Sequence, residues 1–263
     1  DMLDYLRRDA YFSGVRQQYD DRLFSYFTVA DGHLAIELYK HRQIRTDARS
    51  EVLNLLRLRL ALTERVYLHH TKVIAGAMLA KGIERLMRAG LREQDLYAWQ
   101  DADFFAALTA ADDPVVRRLA VAVRCRRLLK RAYVLASGQI DEDVRADLIR
   151  RYAGPRNAAA RAALEAELCR ALGLEDGEVI VHCPEGSPFK EVKALIPTPG
   201  GDLVPLDALD EPIAAEVRSL ARQYEELWRF YVLAPANATA AVRRLCEERF
   251  ACPSSYVPAP PRL

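Results

Sequence analysis

The chain has 263 residues, of which 51% are hydrophobic and 29% are charged, and these proportions are ordinary for a globular protein. It carries 38 Lys and Arg against 37 Asp and Glu, so a net charge of +1 gives no global attraction to nucleic acid or to an anionic membrane. No apolar run approaches the roughly 18 residues that a membrane span needs.

Five cysteines are scattered along the chain, odd in number and without a C-x-x-C pair. This usage predicts reduced thiols in a cytoplasmic protein, with neither a disulfide framework nor a zinc finger. We interpret them as structural residues: Cys125, Cys169, Cys183, Cys246 and Cys252.

The first half of the chain has mainly helical patterns. An amphipathic helix opens it, helix continues through residues 19–26, and the Asp31-Gly32 turn predicts a β-hairpin. A long pattern rich in Leu, Ala, Arg and Val, interrupted by Gly82 and closed by Gly90, predicts one long helix, either straight or kinked. The helices predicted after the hairpin are 47–89, 101–110 and 114–129, the last with Asp113 as its N-cap.

The second half alternates between strands and helices. Strands are predicted at 132–135, 179–182, 191–196 and 230–233, and helices at 141–152, 155–172, 212–227 and 238–250. The Gly200-Gly201 pair predicts a tight turn. The fold class is therefore mainly α with a smaller α+β part, divided into residues 1–135, an accessory lobe of 136–252 and a disordered tail of 253–263.

The opening helix carries an unusual polar face. Asp1, Tyr5, Arg8, Asp9 and Phe12 lie on or near one side at about 3.6 residues per turn. A face of acids, a phenol and a guanidinium favours a polar cavity, where a carboxylate can bind a metal ion. The alternative is an exposed helix whose charges form surface pairs.

A second polar group lies on the long helix. Arg59, Thr63, Tyr67 and His70 share one side at helical spacing, with His69 adjacent. Arginine and histidine can both donate to phosphate oxygens, which indicates a phosphate site. The alternative is a buried Tyr and His satisfied locally, and spacing leaves open which of the two histidines points inward.

A third group is basic: five cations lie between Arg124 and Arg131. Such a segment can hold a regulatory nucleotide or a nucleic-acid backbone. The alternative is a solvated basic face.

Two of these segments resemble one family. The D-x-x-D-Y-x-x-R-D pattern within Asp1–Gly14 and the R-x-x-x-x-x-x-V-Y-x-H pattern of Arg59–His69 resemble the HD-superfamily phosphohydrolases, in particular the deoxynucleoside-triphosphate triphosphohydrolase-like branch. The resemblance implies that Asp1 is the last ligand of a divalent metal ion such as Mg, Mn or Fe. The family's earlier ligands, a His and a His-Asp pair, precede the matching segment. We therefore expect this chain to be the C-terminal portion of an HD-type helical domain followed by an α+β lobe.

The resemblance also implies roles for other side chains. Arg59 and His69 are expected to act on the phosphates, while Tyr5, Asp9, Tyr67 and His70 bind the nucleotide. A (deoxy)nucleoside triphosphate would be cut into nucleoside and triphosphate. The basic segment is expected near subunit contacts or an effector nucleotide, which implies a homo-oligomer.

Two alternatives to this function remain open. One is a non-catalytic HD-like regulatory or assembly module, and the other is an HD nucleotidase or phosphodiesterase of different specificity. Met2 stands where some family members carry a phosphate-contacting Lys, which leaves the substrate open.

Overall fold

A computed structural model of the chain describes residues 2–186, 189–209 and 211–257. Its helices are α1 (Met2–Ser13), α2 (Thr46–Leu62), α3 (His70–Arg88), α4 (Glu93–Leu96), α5 (Asp101–Ala110), α6 (Pro114–Arg124), α7 (Glu142–Tyr152), α8 (Ala158–Leu172), α9 (Pro212–Glu225) and α10 (Thr239–Phe250). Its strands are β1 (Phe27–Ala30), β2 (His33–Ile36), β3 (Tyr39–Lys40), β4 (Gln43–Ile44), β5 (Lys130–Ala136), β6 (Ile180–His182), β7 (Leu195–Pro197), β8 (Leu203–Pro205) and β9 (Arg229–Ala234). The protein is mainly α with a smaller α+β part, which confirms the predicted fold class.

The described chain folds as two compact units, each built from two segments. Of the described residues, the first unit contains 2–69, 189–209 and 211–227, and the second contains 70–186 and 228–257. These units are not divided at residue 135, because strands from distant parts of the sequence pair with each other. Ala35 of β2 pairs with Leu195 of β7, and β5 pairs along its length with β9.

The first unit packs around α2. Leu58 and Leu62 of this helix are fully buried, and so are Ile213 and Val217 of α9. A four-stranded sheet in the order β1-β2-β7-β8 belongs to the same unit. The predicted hairpin is confirmed, since β1 and β2 meet at an Asp31-Gly32 turn in which both residues have positive φ.

The second unit combines helices with a three-stranded sheet in the order β5-β9-β6. Phe230 and Val232 of β9 are fully buried in its core. The predicted cap of α6 is confirmed, because Asp113 accepts hydrogen bonds from the backbone N–H groups of Val115 and Val116.

The prediction of one helix over 47–89 is wrong. The α-helix α2 ends at Leu62, residues 63–67 form a π-helical turn, and α3 begins at His70. The interruption is not at Gly82, which lies inside α3, where a Cβ at this position would be in van der Waals contact with Leu108 and Val116.

Other boundaries also differ from those predicted. Residues 21–26 form a 3₁₀-helix, and α6 ends at Arg124 because Arg126 adopts a left-handed φ of 55°. The predicted strand over 191–196 is a 3₁₀-turn (Lys190–Lys193) followed by β7. The β3–β4 hairpin was not predicted, because its turn carries His41 and Arg42 at positive φ in place of Asn-Gly.

Part of the predicted disordered tail is ordered against β5. The backbone N–H of Ser255 donates to the carbonyl of Val134 at 2.7 Å, and the Arg131 guanidinium lies 3.7 Å from the centroid of the Tyr256 ring. Residues 258–263 lie outside the described residues. Among the described helices, none has both the length and the apolar character needed to cross a membrane.

Candidate functional site

The candidate site lies in the first unit, where α1 faces the end of α2. Leu6 and Ala10 anchor α1 in the core, and the Tyr19 hydroxyl donates to the Leu3 carbonyl at 2.7 Å. Because a helix places residues one position away about 100° around its axis, Tyr5 and Asp9 lie at the edge of this buried stripe. Both side chains are half-buried.

The central contact of the site joins α1 to the π turn. The Tyr67 hydroxyl donates to the Asp9 carboxylate (Oδ2) at 2.8 Å. The Tyr5 and Tyr67 rings meet edge to face, with centroids 6.2 Å apart and an interplanar angle of 71°. The two polar segments predicted from sequence are therefore brought together.

Arg59 completes this group. Its guanidinium carbon lies 5.5 Å from the Tyr5 ring centroid and 5.4 Å from that of Tyr67. These distances are typical of cation–π contacts. We call Tyr5, Asp9, Arg59 and Tyr67 the α1/α2 cluster.

Arg8 is a neighbour of this cluster to which sequence reasoning gave no separate role. Its Nε lies 3.4 Å from Asp9 Oδ1, and its Nη1 donates to Asp4 Oδ2 at 2.9 Å. The Arg8 side chain is about half exposed, so water screens these pairs. Because Arg8 directly precedes Asp9 in the motif, the sequence could have indicated that it lies beside the cluster.

The Tyr67 phenol is a hydrogen-bond donor at neutral pH. Burial, together with its hydrogen bond to Asp9, raises the pKa of Tyr67 well above the usual value for a phenol. The cluster therefore presents a guanidinium, a neutral phenol and a carboxylate to one region. A guanidinium suits phosphate oxygens, and a carboxylate accepts from hydroxyls such as those of a sugar.

Thr63 was expected to present its hydroxyl beside Arg59. It is only 3% exposed, and its hydroxyl donates to the Arg59 carbonyl at 2.8 Å. The hydroxyl is thus used inside the helix.

The two predicted histidines have different positions. His69 is exposed and follows the π turn, with its backbone N–H donating to the Val66 carbonyl at 3.4 Å. His70 is half-buried and begins α3, in the second unit. Their predicted roles at the phosphates and the nucleotide stay predictions.

The predicted metal ligand Asp1 lies outside the described residues. Within residues 2–186, 189–209 and 211–257, no group of three or more His, Cys, Asp or Glu side chains has a geometry that would hold a metal ion. The described residues do not by themselves make a metal site.

The fold and this site define a helical protein with a polar cluster between two helices. A family model described as "HD associated region" matches residues 21–256, and the chain belongs to this family. A search of curated proteins found no match.

Solved structures provide a second comparison. The chain matches a crystal structure of a phosphohydrolase from Bacteroides thetaiotaomicron VPI-5482 with a TM-score of 0.53 and 19% sequence identity. The match covers 88% of this chain and 60% of that phosphohydrolase, so the chain spans less than two thirds of its length. At this identity the match shows a shared fold.

Proposed function

We propose that this chain is the C-terminal part of an HD-type phosphohydrolase that cuts (deoxy)nucleoside triphosphates into nucleoside and triphosphate. The α1/α2 cluster carries the proposal. Its members come from the two segments whose patterns resemble the triphosphohydrolase-like branch, and they meet at the 2.8 Å hydrogen bond between Tyr67 and Asp9. Membership of the HD-associated family supports the same class of protein.

Each side chain of the cluster has a role that suits its chemistry. Arg59 binds phosphate and neutralises charge that grows in the transition state. Tyr5 packs against the sugar, while Asp9 accepts from a sugar hydroxyl. Tyr67 positions Asp9 and the nucleotide, and His69 acts at the phosphates. The role of His70 at the nucleotide rests on the resemblance alone.

The proposal includes a divalent metal ion, for which Asp1 is the ligand from this chain. When bound, such an ion activates water and neutralises phosphate charge. A homo-oligomer, in which the segment from Arg124 to Arg131 holds an effector nucleotide or a neighbouring subunit, also belongs to the proposal.

The test uses the full-length protein with a panel of nucleoside triphosphates and divalent metals. We expect release of nucleoside and inorganic triphosphate, measured by chromatography. Asp1→Ala is expected to abolish hydrolysis and lower the metal content, since one carboxylate supplies both charge and geometry. Asp21→Asn, which removes an exposed carboxylate paired with Arg7, is the control. It should keep the hydrolysis rate and the metal content of the wild-type protein.

Two outcomes would contradict the proposal. A folded full-length protein that binds nucleotide without hydrolysing it would favour the non-catalytic regulatory module. Release of nucleoside monophosphate or of inorganic phosphate would favour a nucleotidase or phosphodiesterase.

A further inference from the structure

The helix that carries Arg59 changes its geometry between Arg59 and Tyr67. The Leu68 N–H donates to the Thr63 carbonyl at 2.8 Å, five residues back, which is the π-helical pattern. Immediately before this turn, the Thr63 N–H donates to the carbonyls of Arg59 and Leu60. The change of helix type therefore begins at Thr63.

This change alters where Tyr67 points. Eight residues separate Arg59 from Tyr67, and at about 100° per residue a continuous α-helix would place Tyr67 about 80° past the face of Arg59. A π turn holds more residues per turn, so each residue advances by a smaller angle and the offset shrinks. The distance of 5.4 Å between the Arg59 guanidinium carbon and the Tyr67 ring centroid agrees with this alignment.

Thr63 is well placed to hold the turn. Its side chain is 3% exposed, and its hydroxyl donates to the Arg59 carbonyl at 2.8 Å. Thr63 thus makes two bonds: its hydroxyl donates to the Arg59 carbonyl, and its own carbonyl accepts the Leu68 N–H bond that closes the π turn. Hydroxyl bonds of this kind compete with regular helix bonding and often bend helices.

We propose that Thr63 is a positioning residue, which holds the π turn and thereby aligns Tyr67 with Arg59 and Asp9 before nucleotide binds. π turns within helices often occur at functional sites. The consequence for catalysis rests on the proposed function, whereas the alignment is a property of the chain alone. Thr63 touches no substrate in this scheme and acts through Tyr67.

The experiment observes Tyr67 directly, in full-length protein labelled with 3-fluorotyrosine. Tyr67→Phe assigns the fluorine resonance by its loss. Thr63→Val keeps the shape of the side chain and removes the hydroxyl, so the Tyr67 resonance is expected to shift. Thr63→Ser keeps the hydroxyl and is expected to retain the wild-type position.

A matched control is available in α5. The Thr109 hydroxyl donates to the Phe105 carbonyl at 2.7 Å within a regular helix. Thr109→Val removes an equivalent bond and is expected to leave the Tyr67 resonance unmoved. If Thr63→Val fails to fold, Thr63→Ala gives the same comparison without a buried branched side chain.

Kinetics supply the second readout. Loss of alignment is expected to raise KM for the nucleotide about fivefold to tenfold with a smaller effect on kcat, and Thr63→Ser is expected to restore it. A Tyr67 resonance that is the same in wild type and in folded Thr63→Val protein would overturn the inference. If the resonance shifts in Thr63→Val but the wild-type protein has no hydrolase activity, the proposed function is refuted and Thr63 remains a positioning residue.

Discussion

The Tyr67 hydroxyl and the Asp9 carboxylate lie 2.8 Å apart although 58 residues separate them in sequence. The bond joins the π turn to α1, and both side chains are half-buried. A bond from a neutral donor to a carboxylate in a partly desolvated place is stronger than one in water. This contact therefore fixes the α1/α2 cluster.

The first prediction concerns this hydroxyl. Tyr67→Phe removes the bond to Asp9 but keeps the ring beside Arg59, so kcat/KM for the nucleotide should fall about tenfold. Tyr97→Phe is the matched control, because the hydroxyl of exposed Tyr97 also donates to a carboxylate, that of Glu93 at 2.7 Å. If kcat/KM is the same for the two variants, Tyr67 is not part of the site.

The second prediction separates charge from shape at Arg59. Arg59→Lys keeps a positive charge but loses the planar fork that binds phosphate at two points, so kcat/KM should fall at least tenfold. Arg57→Lys, on the same helix and paired with Glu216 at 3.2 Å, should change kcat/KM little. Steady-state kinetics measure kcat/KM for both variants, and an unchanged kcat/KM in the Arg59→Lys protein would assign Arg59 to helix packing.

The third prediction concerns assembly. Arg126 and Arg127 are exposed in the turn between α6 and β5, where crowded cations repel unless acids or phosphates neutralise them. Replacing both by Glu should shift the protein toward monomers in sedimentation, or abolish association caused by a nucleotide. If assembly and activity stay unchanged across salt and nucleotide concentrations, the segment is a solvated basic face.

The fourth prediction tests a buried ion pair in the second unit. Lys81 and Glu165 pair with side chains only 4% and 6% exposed, and Glu165 Oε1 also accepts from the Val181 N–H at 2.9 Å. Lys81→Met leaves a buried charge without its partner and should lower the free energy of unfolding by about 3–5 kcal/mol.

The double variant Lys81→Met/Glu165→Gln is the control for that loss. Glutamine is neutral and keeps an acceptor for Val181, so part of the stability should return. Urea denaturation measures both variants, and equal losses in the single and double variants would contradict the account.

The fifth prediction concerns pH. Burial, with a smaller effect of Arg161, lowers the pKa of His182 to about 4. Below its ordinary pKa of about 6.5 the unfolded chain binds a proton that the folded chain does not, so stability is lost as the pH falls from about 6.5 to about 4. This loss amounts to at most about 3 kcal/mol.

His182→Phe removes the titrating group and packs beside Tyr231, whose ring centroid lies 6.2 Å from that of His182. The variant should therefore lose less stability than wild type over this pH interval. Urea denaturation at a series of pH values measures the free energy of unfolding of both proteins. If this free energy falls with pH equally in both, His182 does not titrate in this way.

Local chemistry allowed the sequence to predict several elements. Asp113 before a proline marked the start of α6, and Asp31-Gly32 marked a hairpin, because cap and turn geometries depend on a few adjacent residues. Helical spacing similarly placed Tyr5 and Asp9 on α1. The residues of the α1/α2 cluster were therefore all named from sequence, while Arg8 received no separate role.

Only the tertiary structure decided how these elements combine. The pattern of 47–89 looked continuous because a π turn needs no glycine or proline. The structure shows the change of helix type as a backbone geometry that begins at Thr63. The pairing of β2 with β7 and of β5 with β9 interleaves the two halves of the chain, since strand pairing depends on distant partners. For the same reason, the contact between Asp9 and Tyr67 follows from how α1 packs against α2, which no short pattern encodes.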